Sequence, residues 1–202
     1  MVKRRVAQPW NSRQAKWELQ VYGDSLNMVN WINGRWRVRI VVYRKGVRYI
    51  QRSLAHMFSL RQWVTRTTFA DWAQHVYREQ NAVPSALAGR ATRECNTGFV
   101  SEDMLTRLAK SSNTVALRVF CDGGKNNHGA ASAWTLEGSA TPHIDASWVT
   151  FASTGTNFKS SPTPTCAEWS SFIQGLQAVH CLVRFGGVAL DDSCYVTACE
   201  KW

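Results

Sequence analysis

No stretch of this sequence approaches the ~20 consecutive apolar residues that a membrane-spanning helix needs. The basic start from Met1 to Arg5 has no apolar stretch behind it, so neither a membrane anchor nor a secretory leader is expected. Cysteine chemistry is thin as well. Cys95, Cys121, Cys166, Cys181, Cys194 and Cys199 form no Cys-x-x-Cys pair, and none stands beside a histidine at zinc-finger spacing. Reduced, partly buried thiols in an intracellular protein, nuclear or cytoplasmic, are the expectation. Acidic residues are scarce, with 14 Asp+Glu against 24 Lys+Arg and a net charge of +10. That balance favours a polyanionic partner. Disorder is excluded by 45% hydrophobic residues and 10 Trp.

The charge is unevenly spread. Residues 1–95 hold 17 Lys/Arg and 5 Asp/Glu, whereas residues 96–202 hold 7 and 9. Two segments with different tasks are implied, one gripping phosphate and one collecting carboxylates.

In the first segment, residues 17–23 read as a strand that ends at Gly23-Asp24-Ser25. Leu26, Val29, Trp31 and Ile32 suit a short helix closed by Asn33-Gly34. Residues 38–52 are a basic run, residues 53–63 a further helix, Asp71–Arg78 a short strand, and 82–94 a helix. Residues 96–114 read as a linker, with Ser101 as the N-cap of one or two helical turns. In the second segment, Leu117–Asp122 is a clear strand broken by Gly123-Gly124. Ala130–Leu136 and Ser147–Ser153 are two more, and 155–165 is a Ser/Thr/Pro loop. Ala167–Arg184 is the best amphipathic helix, with Trp169, Phe172, Ile173, Leu176, Val179 and Val183 at helical spacing. A strand at Gly187–Leu190 then runs into Asp191-Asp192-Ser193. The expected class is α/β with a mixed sheet flanked by helices.

Three carboxylates stand where metal-assisted phosphodiester hydrolysis would need them. Asp122 ends a strand, Glu168 opens the long helix, and Asp192 follows a strand. Such chemistry uses divalent ions about 4 Å apart, and Mg²⁺ or Mn²⁺ takes oxygen ligands. Carboxylates at a strand end and a helix start can converge at one rim of a sheet.

These elements resemble the type 1 ribonuclease H family of retroelement kind. The resemblance rests on Leu117-Arg-Val-Phe-Cys-Asp122-Gly123-Gly124 with the small-residue strand Gly129–Trp134, on Thr165-Cys-Ala-Glu168-Trp with Gly175-Leu176, and on Asp192-Ser-Cys-Tyr-Val196. The first segment resembles the family's later portion. Val21-Tyr-Gly-Asp24-Ser-Leu looks like its fourth strand, and His75-Val-Tyr-Arg-Glu-Gln-Asn81 with Ala86-Leu-Ala88 looks like its closing segment. The order is thus late half (1–95), linker (96–114), early half (115–202). Asp24-Ser25 and Asp192-Ser193 then look like two copies of one motif. A window cut out of phase from a tandem array gives this order, and so does a circular permutation with an overlapping strand.

The resemblance implies an endonuclease that hydrolyses the RNA strand of an RNA–DNA hybrid with two Mg²⁺ or Mn²⁺ ions. Asp122, Glu168 and either Asp192 or Asp24 would hold the ions. Gly123 and Gly124 would let the substrate backbone approach, and Arg44, Lys45, Arg48 and Trp36 would bind nucleic acid. Tyr43 is a second candidate for stacking on a sugar or base. His75 reads as a structural residue at a strand edge or as one that helps product release or proton transfer, and His128 as near enough in sequence to Asp122 to reach substrate.

Two departures weaken the expected activity. Ser85 stands where the family has a fourth carboxylate, and Thr163-Pro164-Thr165 stands where it often has amides that touch the hybrid. A catalytically dead nucleic-acid-binding remnant is the second reading. A half-domain assembly module, forming a swapped homodimer or polymer, is the third.

Overall fold

The computed structural model describes residues 16–59, 63–64, 71–93, 97–100, 114–139, 148–158 and 163–185. Its elements in chain order are β1 (Lys16–Gly23), α1 (Leu26–Ile32), α2 (Val41–Ser59), β2 (Trp63–Val64), β3 (Gln74–His75) and α3 (Ala82–Ala91). They continue with β4 (Thr97–Val100), β5 (Thr114–Asn126), β6 (Gly129–Ser139), β7 (Val149–Phe158) and α4 (Pro164–Phe185). The strands form one mixed sheet in the order β2-β1-β5-β6-β7-β4, and β3 pairs with the far end of β1. β5, β6, β7 and β4 are antiparallel neighbours, whereas β1 lies parallel to β5. The α/β class expected from the sequence holds, and strands from both segments share the sheet.

The sheet is covered on both faces, and its composition shows why. In β6, Ala130, Ala131, Ser132, Ala133, Trp134, Thr135 and Leu136 are all buried, so neither face meets water. The small residues at its start leave room for helices on either side. α4 buries Phe172, Ile173, Leu176 and Val179 against the sheet. It lies close because Gly175 faces Val119: a Cβ there would come within 2.8 Å of Val119 Cγ1. α3 packs on β5, β6 and β7.

Several elements differ from the sequence reading. The basic run 38–52 and the helix at 53–63 are one helix, α2, which starts at Val41 and ends at Ser59. Val47, Ile50 and Leu54 form its buried stripe, at spacings of three and four, while Lys45, Arg48 and Arg52 stay exposed. The alternation of Arg with apolar residues hid that stripe. The strand read over Asp71–Arg78 is two residues long. The segment before it is pinned instead by Asn33, whose Oδ1 accepts from the Trp72 and Ala73 amides at 2.8 and 3.0 Å. The range read as a linker contains β4, which pairs with β7, because an edge strand of four residues leaves too short a period to detect. The helical turns expected after Ser101 lie outside the described residues, as does the strand at Gly187–Leu190.

Gly123-Gly124 does not end its strand. β5 continues to Asn126, and the β5–β6 ladder runs in register to Asn126↔Gly129, where the chain turns at Asn127 and His128. Pairing along a complete neighbour strand overrides the local signal of two glycines. No described helix is long and apolar enough to cross a membrane.

Candidate metal centre

The site begins with a register. β1 and β5 run parallel with Tyr22 opposite Phe120 and Gly23 opposite Cys121. The aromatic rings of the first pair stack at 4.9 Å. One step further along stand Asp24, in the bend just past the end of β1, and Asp122, within β5, and neighbouring strands lie about 4.8 Å apart. The ladder ends one residue before them, and the two carboxylates meet within 4.8 Å.

Glu168 arrives from α4. Thr163 caps that helix: its Oγ1 accepts from the Cys166 amide at 3.2 Å, and Pro164 takes the first helical position. The helix therefore starts earlier than Ala167, and Glu168 lies beyond its first turn. Its negative charge is not explained by the helix dipole, which acts within the first turn. What lets Glu168 reach the sheet is Gly123. A Cβ on Gly123 would lie 2.2 Å from both the Ala167 carbonyl carbon and the Glu168 amide nitrogen. The helix backbone occupies the space of a side chain, and the Gly123 backbone hydrogen-bonds the Glu168 carboxylate.

The result is a triad in which one ligand oxygen from each of Asp24, Asp122 and Glu168 lies within 4.8 Å of the others. It could hold a metal ion. Asp122 is buried and the other two residues are half-buried. Asp24 Oδ1 and Glu168 Oε2 are shielded from solvent and have no hydrogen-bond partner. A buried carboxylate oxygen left unpaired costs free energy unless a cation or proton satisfies it. Burial first, and then the charge of Asp24, push the Asp122 carboxyl up to about 6. Burial, followed by the charges of Asp122 and Asp24, pushes Glu168 up to about 9. Burial above all, with Glu168 and Asp122 adding to it, also raises the Cys121 thiol. The charge of Arg78 and a hydrogen bond from Ser85 to Asp122 work in the opposite direction.

These shifts carry a testable sign. Asp122 and Glu168 hold protons more tightly when folded than at their ordinary values of 3.8 and 4.5. Their contribution to metal-free stability is complete below those values. It is lost as pH rises through about 6 and then about 9. In EDTA the melting temperature is expected to fall between pH 5 and 9, and Glu168→Gln should flatten the upper part of the fall. Divalent cation should oppose the decline, most at high pH, because binding requires the deprotonated carboxylates. Melting curves across that range with and without Mg²⁺ check this, and a flat profile in EDTA contradicts it.

The structure places the residues named from sequence as follows. Asp24, Asp122 and Glu168 come together, and Ser85 lies beside Asp122 on α3. Asp192 lies outside the described residues. Gly123 is packed under α4 and is not open to a substrate, contrary to expectation. Gly124 is half-exposed, with open space where a Cβ would be. Lys45 and Arg48 are exposed. Arg44 instead donates to the Val38 and Arg39 carbonyls at 3.2 and 3.1 Å, tying down the turn before α2. Trp36 is exposed and open to stacking. Tyr43 is not, since its hydroxyl meets Thr163 Oγ1 at 3.3 Å and its ring packs on Trp169. His75 Nε2 lies 3.1 Å from the Asp24 carbonyl oxygen and so helps hold the loop that carries Asp24.

Two residues were missed. Arg78, exposed in the turn before α3, is near enough for its charge to act on Asp122 and Glu168, and Asn81 is fully buried and donates to the Cys121 carbonyl at 2.9 Å, fastening α3 next to Asp122. Both lie in the His75–Asn81 stretch, where a cation and an amide among polar residues carried no separate signal.

α2 is joined to the same region. A Cβ on Gly46 would fall 1.5 Å from the Trp169 ring, so the ring from α4 packs directly on the backbone of the basic helix. No protein-family model matches this chain, and no curated protein matches it.

Proposed function

We propose that this chain is a metal-dependent nuclease of ribonuclease H type, weakly active, that cleaves the RNA strand of an RNA–DNA hybrid. The observation that carries the reading is the triad of Asp24, Asp122 and Glu168 with two shielded, unpartnered carboxylate oxygens. The segment that resembles the family's fourth strand pairs in parallel with the segment that resembles its first, and so supplies Asp24 to the site. In this reading the two segments are half-units that complete each other. Two Mg²⁺ or Mn²⁺ ions bound there would supply an activated water and neutralise charge on the leaving oxygen. Asp122, the most buried of the three, would hold the ions together with Asp24 and Glu168. Exposed Lys45 and Arg48 would hold phosphates beside the site, and Arg78 would add positive charge at its mouth.

The test is incubation of a hybrid labelled in its RNA strand with Mg²⁺, with EDTA as control and with duplex RNA, duplex DNA and single-stranded RNA as competitors. Slow, EDTA-sensitive cleavage of the hybrid RNA is expected. The absence of both cleavage and a Mg²⁺-induced rise in melting temperature would refute the proposal.

One observation favours the second reading, a remnant that binds nucleic acid without cutting. Ser85 contributes a hydrogen bond to Asp122 where a fourth carboxylate would contribute charge. Ser85→Asp is therefore expected to lower metal-free stability through like-charge repulsion, raise Mg²⁺ affinity and increase cleavage. Binding that is salt-sensitive, with no cleavage by either protein, selects the remnant.

A further inference from the structure

A second feature lies along the sheet from the carboxylates. The end of α3 and the β5–β6 turn enclose an open depression of about 530 Å³, lined by Gly89, Arg90, Arg93, Asn126, Asn127 and His128. Its walls carry two guanidinium groups, two amides and an imidazole. No carboxylate lines it.

The depression is held in shape from both sides. Asn126 Nδ2 donates to Thr92 Oγ1 at 3.0 Å, which fastens the turn to the end of α3. Asn126 Oδ1 accepts from the His128 amide at 2.8 Å, which fixes the turn itself. Gly129 follows with φ of +142°, a conformation open to glycine, and closes the hairpin. Gly89 has open space where a Cβ would be, so the floor is clear. Arg90 stands in the last turn of α3.

Its position relative to the carboxylates is set by two elements that both reach them. Along β5, Asn126 is four residues past Asp122, about 13 Å at ~3.3 Å per residue. Along α3, Arg90 is five residues past Ser85, about 7.5 Å at ~1.5 Å per residue. A strand whose backbone lay at the triad would reach the depression within a few nucleotides, since each adds about 3.4 Å.

We infer that this depression is a backbone phosphate site for nucleic acid, separate from the basic face of α2, and that it holds the strand a few nucleotides from the carboxylates. Arg90 and Arg93 bind the phosphate, and Asn127 and His128 donate to it or to the adjoining sugar. The inference rests on the nucleic-acid part of the proposed function and not on cleavage.

The experiment uses the full chain in EDTA, so that no cleavage can occur. A fluorescent 16-base-pair RNA–DNA hybrid is titrated by anisotropy at several salt concentrations, and amide NMR spectra are recorded in parallel. The Arg90→Ala/Arg93→Ala variant is expected to bind at least ~10-fold more weakly at low salt. The slope of log affinity against log salt should shrink by up to about two units, one for each lost contact. Arg90→Lys/Arg93→Lys should recover most of the binding. In the wild-type protein the amide signals of Asn126, Asn127, His128 and Gly129 should shift as hybrid is added. Unchanged affinity and slope in the alanine variant, or no shift at those four amides, overturns the site. Shifts produced equally by inorganic phosphate, with no loss of hybrid binding in the variant, overturn it as a nucleic-acid site and leave a small-anion pocket. If the arginine pair matters for binding while the wild type with Mg²⁺ cuts nothing, the phosphate site stands and the nuclease reading falls. If cleavage is normal and the pair is irrelevant, only the phosphate site falls. A wild type that binds no nucleic acid removes both.

Discussion

Asp122→Asn is expected to make the metal-free protein more stable and to abolish its response to Mg²⁺. The two effects share one cause. Asp122 is buried beside Asp24 and Glu168, and the three charges repel one another in a site that water screens poorly. Removing the Asp122 charge relieves that repulsion, and asparagine is nearly the same size, so no cavity opens. The melting temperature in EDTA should rise at pH 8, which is above the value of about 6 to which Asp122 is pushed, so that Asp122 is charged there beside Asp24. Mg²⁺ should then add little, because ions favour the native state only through sites that the unfolded chain lacks. Hybrid cleavage should drop at least ~100-fold, the scale expected when a metal-assembled site is dismantled. A loss of activity alone would fit many kinds of damage. Greater metal-free stability combined with a lost metal response fits a carboxylate site. If wild type and variant show the same Mg²⁺ shift in melting, the assignment of Asp122 is wrong.

Gly123→Ala should do comparable harm without touching any carboxylate. The added methyl would sit 2.2 Å from two backbone atoms of α4 and 2.5 Å from the Ala167 carbonyl oxygen. Backbone cannot rotate aside as a side chain can, so the start of α4 must move by about 1 Å or more to reach ordinary contact. The cost of such overpacking is typically 1–3 kcal/mol, and the upper end or beyond is expected here because the obstacle is a helix. The same shift carries Glu168 away from Asp24 and Asp122. Mg²⁺ stabilisation and cleavage should therefore both fall, by ~10-fold or more in the case of cleavage. Gly124→Ala is the matched control. Nothing lies within 4 Å of its added Cβ, and its stability should change by less than ~1 kcal/mol. Urea unfolding of the two variants, with and without Mg²⁺, checks the pair. Equal behaviour of the two would show that α4 does not depend on the gap at Gly123.

The harm expected at Gly123 was not legible from the residues alone. Gly123-Gly124 reads as a turn or as an opening for substrate, because glycine in sequence shows only that a side chain is absent. Which object fills the vacated space is a three-dimensional matter, and here it is the backbone of a helix that begins 41 residues later. The same limit applied to Gly46, whose partner is a Trp169 ring on another helix. It applied to Tyr43 too, an aromatic in a basic run that looked free to stack and is held by Thr163 and Trp169.

What the sequence determined by itself was local. Alternating apolar residues around Leu117, Val119 and Cys121 marked β5, and the helical spacing from Trp169 to Val179 marked α4, since each pattern follows from the geometry of its own element. Asp122 and Glu168 stood out because each sits at a recognisable place on such an element. Asp24 could be named only as one of two equivalents, with Asp192 the other, because a motif that occurs twice has no local feature to separate its copies. Only the tertiary structure brought Asp24 to the site. It did so through the parallel register of β1 on β5, in which Gly23 faces Cys121 and the residue after each is an aspartate, Asp24 just past the end of β1 and Asp122 within β5. Strand pairing between segments 98 residues apart is set by the burial of whole faces, and no short stretch of sequence contains it.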